Sequence, residues 1–104
     1  MRIGTTPTHE FVFPVPMSSI ADVELTYKQG DAIVLQKYLQ DLTTTEQSAV
    51  FKFTEEDTFK FKTKPDVLVQ FRAISPAGDV LASDIFRISA QECLSDKMLT
   101  GRNA

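Results

Sequence analysis

Apolar and polar residues alternate with a period of two along most of the chain, a pattern that predicts β-strands. The clearest case is 22–28, where Val23, Leu25 and Tyr27 alternate with polar residues, as in an antiparallel strand with one buried face. Alternation of this kind predicts six strands: 8–13, 22–28, 32–38, 49–53, 67–75 and 80–89. The Gln-Gly-Asp sequence at 29–31 predicts a hairpin between the second and third strands.

The last two predicted strands also form a hairpin, because the Pro-Ala-Gly-Asp sequence at 76–79 is typical of a type I turn. One face of 67–75 carries Val67, Val69, Phe71 and Ala73. The residues of 80–89 expected to share a face are Val80, Ala82, Phe86 and Ile88. Strands that are apolar on both faces usually lie inside a sheet, so we expect this long pair at its centre.

Helical signals are brief. Residues 17–21 predict a turn or a single helical loop, and the threonine-rich segment 39–48 predicts an irregular loop. Thr54 followed by three acidic residues at 55–57 resembles a capping box at the start of a short helix. A helix reaching about Lys60 places Phe59 or Phe61 beneath the edge of the sheet.

Hairpin-linked strands without a strand–helix–strand repeat predict an all-β fold. We expect an immunoglobulin-like antiparallel β-sandwich of about six to seven strands with one short helix, with a small β-barrel as the alternative. The chain contains no tryptophan and one cysteine, Cys93, which argues against an antibody-type domain. Its 104 residues predict one domain, with an N-terminal arm over 1–8 and a polar C-terminal tail over 91–104.

Charge argues against two classes of partner. The net charge is −3, and neither half of the chain is basic enough to bind a phosphate backbone or anionic lipid. The longest apolar runs are 32–35 and 67–69, far short of the roughly 20 residues that a membrane helix needs. The polar N-terminus does not resemble a signal peptide. We therefore expect a soluble protein that is made and, at least at first, kept inside a cell, without nucleic-acid or membrane partners.

Three Phe-x-Phe pairs are the most distinctive sequence feature. They are Phe11/Phe13, Phe51/Phe53 and Phe59/Phe61, and two of them enclose a lysine. Such rings beside cations can stack on single-stranded nucleic acid. Period two also places both rings inward and the intervening residue outward, which builds a core. In a chain of negative net charge we favour the core.

Reactive side chains are few. His9 is the only histidine, so a metal site with two histidines is excluded. A Ser-His-Asp triad would have to use His9, and the sequence has no Gly-x-Ser-x-Gly motif to present its nucleophile, so we expect a hydrogen-bonding or surface residue. Cys93 has no nearby basic partner except Arg87 and Lys97, which favours a small apolar role. Glu55, Glu56 and Asp57 lack the ligand spacing of an EF-hand loop.

The four glycines are isolated, so no glycine-rich phosphate loop is present. We therefore predict no catalytic, cofactor-binding or metal-binding residue, no cofactor and no small-molecule substrate. The expectation is a protein that is not an enzyme.

Several segments resemble a group of small phage and prophage proteins from Gram-positive gut bacteria. Residues 2–9, Arg-Ile-Gly-Thr-Thr-Pro-Thr-His, and the alternating segment after them carry this similarity, as do 53–61, 82–86 and Cys93-Leu94. The resemblance implies a virion or virion-assembly component and no particular chemistry. It points to protein partners, including further copies of the chain, and to incorporation into a virion.

Two functions follow as expectations. The first is a structural or assembly protein of a phage tail, baseplate or neck, whose edge strands and N-terminal arm contact neighbouring proteins. The second is a binding module that recognises a host surface or carbohydrate through the loops at 29–31, 39–48 and 76–79. Tyr38 is the one aromatic residue beside these loops, which weakens a sugar-stacking site.

Overall fold

The computed structural model describes residues 1–95 and Leu99. This part of the chain contains eight strands in two antiparallel sheets and one short α-helix. The strands are β1 (Thr8–Val12), β2 (Asp22–Gln29), β3 (Ala32–Tyr38), β4 (Thr43–Thr44), β5 (Ser48–Lys52), β6 (Val67–Ile74), β7 (Val80–Ala82) and β8 (Phe86–Ile88). The helix, α1, spans Glu55–Phe59. Single 3-10 turns lie at Met17–Ser19 and Leu39–Asp41, so the expected loop over 39–48 contains a turn and the short strand β4. Most of the expected polar tail, 96–98 and 100–104, lies outside the described residues.

The order of the strands confirms the immunoglobulin-like sandwich. One sheet runs β3-β2-β6-β7, with β8 also paired to β6, and the other runs β1-β5-β4. Immunoglobulin domains place strands C′-C-F-G in one sheet and A-B-E-D in the other. In chain order, β1 to β6 occupy the positions B, C, C′, D, E and F, and β7 with β8 occupies G. The position of strand A, beside β1, has no counterpart among the described strands.

The central hairpin and its partner supply one wall of the core. Val23, Leu25 and Tyr27 of β2 are buried, as their alternation predicted. Leu25 pairs with Phe71 of β6 and Tyr27 pairs with Val69, so residues of neighbouring strands point to the same side. The other wall comes mainly from β5 and the residue that follows it, and the predicted inward face is confirmed at Ala49, Phe51 and Phe53.

Aromatic contacts join the two sheets. Phe71 of β6 lies with its ring centroid 5.7 Å from that of Phe11 in β1 and 4.4 Å from that of Phe13. Tyr27 and Phe53 meet edge to face at 5.2 Å. Antibody domains join strands B and F with a disulfide. Phenylalanines hold the equivalent strands together here.

The prediction of one continuous central strand over 80–89 is wrong. This segment forms two short strands at the edge of the sheet, both paired with β6. Arg72 pairs with Ala82 and Val69 pairs with Phe86, so the chain has three residues between Ala82 and Phe86 opposite two residues of β6. Such an extra residue is a β-bulge, and it reverses which side chains face inward.

The bulge also overturns the predicted shared face. Before it, Leu81 pairs with inward-facing Ala73, so Val80 and Ala82 point to the outer face. After it, Phe86 and Ile88 pair with buried residues of β6 and point to the inner face. Val80 is accordingly 60% exposed on the outer side.

The N-terminal segment lies against its own domain rather than projecting as the expected arm over 1–8. The amide of Ile3 donates to the carbonyl of Gln91 at 3.0 Å, and the amide of Gln91 donates to the carbonyl of Met1 at 2.7 Å. Thr58 of α1 accepts a hydrogen bond from the Gly4 amide at 2.9 Å and donates one to the Thr5 carbonyl at 3.0 Å. Backbone pairing and a buried hydroxyl therefore fix both ends of this segment.

Helix α1 begins as its sequence predicted. The side chain of Thr54 accepts a hydrogen bond from the Asp57 amide at 3.1 Å, and the Asp57 carboxylate accepts one from the Thr54 amide at 3.0 Å. The capping box is thus complete. Beyond the helix, Phe61 is buried with its ring centroid 5.9 Å from that of Tyr27, in line with the expected aromatic residue beneath the sheet. Within the described part of the chain, no helix has the length and apolar character needed to cross a bilayer.

Candidate functional site

A cleft of about 530 Å³ opens between the two sheets, where the edge strand β1 faces the edge strand β8. Phe11, Phe71 and Val69 form its apolar floor, while Phe86 and Ile88 stand on the β8 side. Phe86 is 47% exposed although it points to the inner side of its sheet. The cleft therefore presents apolar side chains that the smaller sheet does not cover.

The outer edge of β1 carries backbone groups that β5 does not pair. Among the described strands, only β5 is hydrogen-bonded to β1. The amide of Phe13 donates to the carbonyl of Gln47, and the carbonyl of Pro7 accepts from the amide of Phe53. Since hydrogen bonds alternate along an antiparallel strand, odd-numbered residues of β1 point their backbone groups to β5. The N–H and C=O groups of Thr8, Glu10 and Val12 therefore point to the cleft side.

On the opposite side of the sandwich, a lysine side chain spans the two sheets. Lys37 of β3 extends across to the other sheet, with Nζ 3.9 Å from Asp57 Oδ1 of α1 and 5.8 Å from the centre of the Phe51 ring. This lysine therefore bridges β3 to α1 and to the smaller sheet. The two sides of the sandwich thus differ, and the β1–β8 side is the open one.

His9 lies in the wall of the cleft. Its Nδ1 is 2.8 Å from the hydroxyl of Tyr27, and its ring meets Phe53 edge to face at 4.9 Å. Burial lowers the pKa of the His9 imidazole, and the nearby positive charge of the Met1 amino group lowers it further. Burial also raises the pKa of the Tyr27 hydroxyl far above its ordinary value, so that hydroxyl stays protonated. This pair is neutral near pH 7.

His9, expected to be a hydrogen-bonding or surface residue, is a hydrogen-bonding residue in the structure. One ring nitrogen is engaged with a fully buried phenol. A catalytic base instead needs a nitrogen within hydrogen-bond reach of the proton that it removes. The arrangement of His9 and Tyr27 is that of a polar contact between the sheets.

The other reactive residues lie at the α1 end of the molecule. Cys93 is half-buried, and a Cβ built on Gly4 would lie 3.1 Å from its Sγ. Asp57 is occupied by the capping box and by its approach to Lys37. Over residues 1–95 and Leu99, no three side chains of the metal-ligating types come close enough to form a site.

The Phe-x-Phe pairs lie in the interior, as the core interpretation predicted, with one difference. Phe13, Phe51, Phe53 and Phe61 are buried, and Phe11 packs against them while also lining the cleft. Phe59 belongs to α1 rather than to a strand and is half-buried. The two-residue alternation of a β-strand therefore accounts for two of the pairs, while the third pair begins at Phe59, the last residue of α1.

The lysines of 60–64 surround a shallow hollow of about 380 Å³ near the β2–β3 turn. The buried Gln29 side chain fixes this segment by donating to the carbonyls of Lys62 and Pro65 and by accepting from the Lys62 amide. Phe61 points away from this hollow into the core. The hollow thus has cations but not the exposed rings of a base-stacking surface.

The cleft is not evident from the sequence, because its wall of Phe86 and Ile88 depends on the bulge between β7 and β8. The polar pair Ser83-Asp84 within an apolar stretch is the signal that could have revealed it. The hydroxyl of Ser83 accepts from the Phe71 amide at 3.1 Å and donates to the Asp84 carbonyl at 2.7 Å, which stabilises the irregular backbone. Comparison of the chain with protein-family models gives no match, and a search of curated proteins finds no matching relative.

Proposed function

We propose that this chain is a non-enzymatic structural or assembly protein of a phage or prophage particle, associated with its tail, baseplate or neck. Its partners in this proposal are proteins, including further copies of the chain, rather than nucleic acid, membranes or small molecules. It is made in the bacterial cytoplasm and joins the particle afterwards. The resemblance of residues 2–9 and 53–61 to small phage proteins supports the setting.

One observation supports the mode of action. The open side of the sandwich combines an apolar cleft with the unpaired outer edge of β1. Exposed strand edges bind other chains readily, and soluble proteins usually cover or interrupt them. An edge left open beside Phe11 and Phe86 favours a role in which a neighbouring protein covers it.

The loop-based binding module has less support because its loops lie at two ends of the molecule. Gln29 pairs with Val67 while Asp22 pairs with Ile74, so the β2–β3 turn and the β6–β7 turn are at opposite ends of the sheet. The turn at Leu39–Asp41 follows Tyr38, which pairs with Glu24 near the second of these ends. The three loops therefore do not form one surface for a carbohydrate.

The test is recovery of the chain with particle proteins. Phage particles are induced from cells that carry the gene, purified on a density gradient and analysed by quantitative mass spectrometry. In parallel, the chain is co-expressed with the products of the neighbouring genes and the complexes are sized by light scattering. Stoichiometric recovery in particles or a defined complex with a neighbouring product is expected. A chain that is absent from the particles and binds none of those products contradicts the proposal.

A further inference from the structure

We propose that the cleft between β1 and β8 receives an extended strand of a partner protein, which pairs with the free edge of β1 and adds a fourth strand to the smaller sheet. The strand carries apolar side chains toward Phe11, Phe71 and Phe86 and a basic side chain beside Glu10. This inference rests on the proposed function, because it names the kind of protein segment that the open side binds.

The shape of the fold points to a strand as the occupant. In an immunoglobulin sandwich of the constant type, strand A lies beside strand B. The equivalent place beside β1 is the open cleft. The start of this chain does not fill it, since Arg2 forms a parallel bridge with Gln91, past the end of β8. The place is therefore strand-shaped, and the described part of this chain leaves it open.

The backbone of β1 specifies the chemistry of the occupant. Thr8, Glu10 and Val12 each point one N–H and one C=O group outward, at every second residue of an extended chain. Another extended backbone presents donors and acceptors at the same spacing, and it can pair with all of them at once. A sugar or a helix has no such repeat. Main-chain hydrogen bonds of this kind supply affinity in strand addition, and pockets for alternate side chains supply specificity.

The floor of the cleft specifies every second side chain of the added strand. Alternate residues of a strand point to opposite faces, so those facing inward would meet Phe11, Phe71 and Phe86. Apolar side chains there would cover Phe86, which is 47% exposed without them. The bulge between β7 and β8 turns Phe86 and Ile88 inward, so it contributes directly to the cleft.

Charge favours a different protein over a second copy of this chain. Glu10 is exposed at the middle of β1. If two copies paired along the whole of β1 around a two-fold axis, Glu10 of one copy would lie opposite Glu10 of the other. Like charges directly opposite across a strand pair are destabilising, whereas opposite charges stabilise it. A strand with lysine or arginine at this position is complementary.

Binding of synthetic strands to the full chain tests the proposal. The probe is a fluorescein-labelled peptide of about seven residues, alternating valine with threonine and carrying one central lysine on the threonine side. A second peptide replaces the lysine with glutamate, and a third carries N-methyl groups at alternate amides. Fluorescence anisotropy should show saturable binding, about two- to fivefold tighter for the lysine peptide than for the glutamate peptide. N-methylation on the pairing edge should weaken binding by about tenfold or more.

Variants of the chain locate the binding. Val12→Pro removes an N–H of the free edge but none that pairs with β5, and it should weaken binding, while Val12→Ala retains it. Phe86→Ala should weaken binding, while Val80→Ala, which truncates an exposed apolar residue on the outer face, should not. Glu10→Lys should reverse the preference between the lysine and glutamate peptides. Circular dichroism checks that each variant is folded.

The outcomes separate this inference from the proposed function. Absence of saturable binding, equal binding of the N-methylated peptide, or unchanged binding by both Val12→Pro and Phe86→Ala overturns the strand site. If the same two variants still join particle proteins as the wild type does, the strand site is wrong and the proposed function stands. If the peptides bind as expected but the chain is absent from particles and from complexes with neighbouring products, the proposed function is wrong and the site stands.

Discussion

The hydroxyl of Tyr27 lies 2.8 Å from Nδ1 of His9, and this hydrogen bond joins β2 of the larger sheet to β1 of the smaller one. Tyr27 is fully buried, and burial raises the pKa of its hydroxyl so that the phenol remains neutral. His9 is beside the cleft, so the bond holds β1 against the core at the place where its other edge is open. A polar contact thus positions an otherwise apolar site.

Removing this hydroxyl should weaken the domain without unfolding it. Tyr27→Phe keeps the ring among Phe51, Phe53 and Phe61 but removes the bond to His9. The expected loss in free energy of unfolding is about 0.5–1.5 kcal/mol, the net contribution of a typical hydrogen bond. Urea denaturation measures it. In the double variant Tyr27→Phe, His9→Gln the two losses should not add, whereas strict additivity would show that the residues do not interact.

Stability should fall in mild acid because of His9. Burial and the Met1 amino group lower the pKa of His9 in the folded state below its ordinary value of 6.5. The unfolded chain therefore binds this proton first as pH falls, so the contribution is present above about pH 6.5 and is lost toward the folded-state pKa. The free energy of unfolding of the wild type, measured between about pH 7.5 and 5, should fall more than that of His9→Gln. Parallel pH curves for the two proteins would contradict this assignment.

Replacing a buried phenylalanine with alanine should reduce stability more than replacing a half-exposed one. Phe51 is 4% exposed in the core, and Phe51→Ala should cost about 3–5 kcal/mol through lost burial and the cavity left behind. Phe86 is half exposed in the cleft, and Phe86→Ala should cost about 1 kcal/mol or less. Chemical denaturation of both variants makes the comparison. Equal losses would mean either that the cleft is filled in the free protein or that β5 faces the other way.

The attachment of the first seven residues is tested by two glycines. Gly4 has φ +83° and little room for a side chain, because a Cβ there would lie 3.1 Å from Cys93 Sγ and 3.2 Å from the Phe59 ring, so these side chains would have to move slightly. Gly78 has a similar φ of +94° but open space around it. Gly78→Ala should cost about 1–2 kcal/mol for the left-handed backbone alone.

Gly4→Ala should cost more than Gly78→Ala, because crowding adds to the same backbone strain. The melting temperatures of the two variants decide the point. A Gly4→Ala variant no less stable than Gly78→Ala would show that residues 1–7 are not packed against α1 and Cys93 in solution.

Much of the fold follows from the sequence because the burial of one strand face dictates the pattern. The inward sets of β2 and β6 alternate without interruption, and cross-strand pairing such as Leu25 with Phe71 repeats the same period. The turn chemistry at 29–31 and the capping box at Thr54 are local signals that depend on few residues. These elements are therefore predictable from the sequence alone.

The open cleft could not be predicted from the sequence, because it depends on non-local geometry. One added residue near Ser83 changes which side of the sheet Phe86 faces, although the local sequence still looks like a continuous strand. The N-terminal segment is fixed by residues about ninety positions away, as in the pairing of Ile3 with Gln91. Its polar composition alone is typical of a free arm.

The most direct test of the proposed mode of action is amide hydrogen exchange along β1, measured by NMR at single residues. In the free protein the amides of His9 and Phe11 should be protected by β5, while those of Glu10 and Val12 should exchange close to solvent rates. Adding the lysine-containing strand peptide should protect Glu10 and Val12 and leave the amides of β3 unchanged. Protection of Glu10 and Val12 that already equals that of His9 and Phe11 in the free protein, or that does not change with the peptide, would contradict the claim that this edge is open and binds a strand.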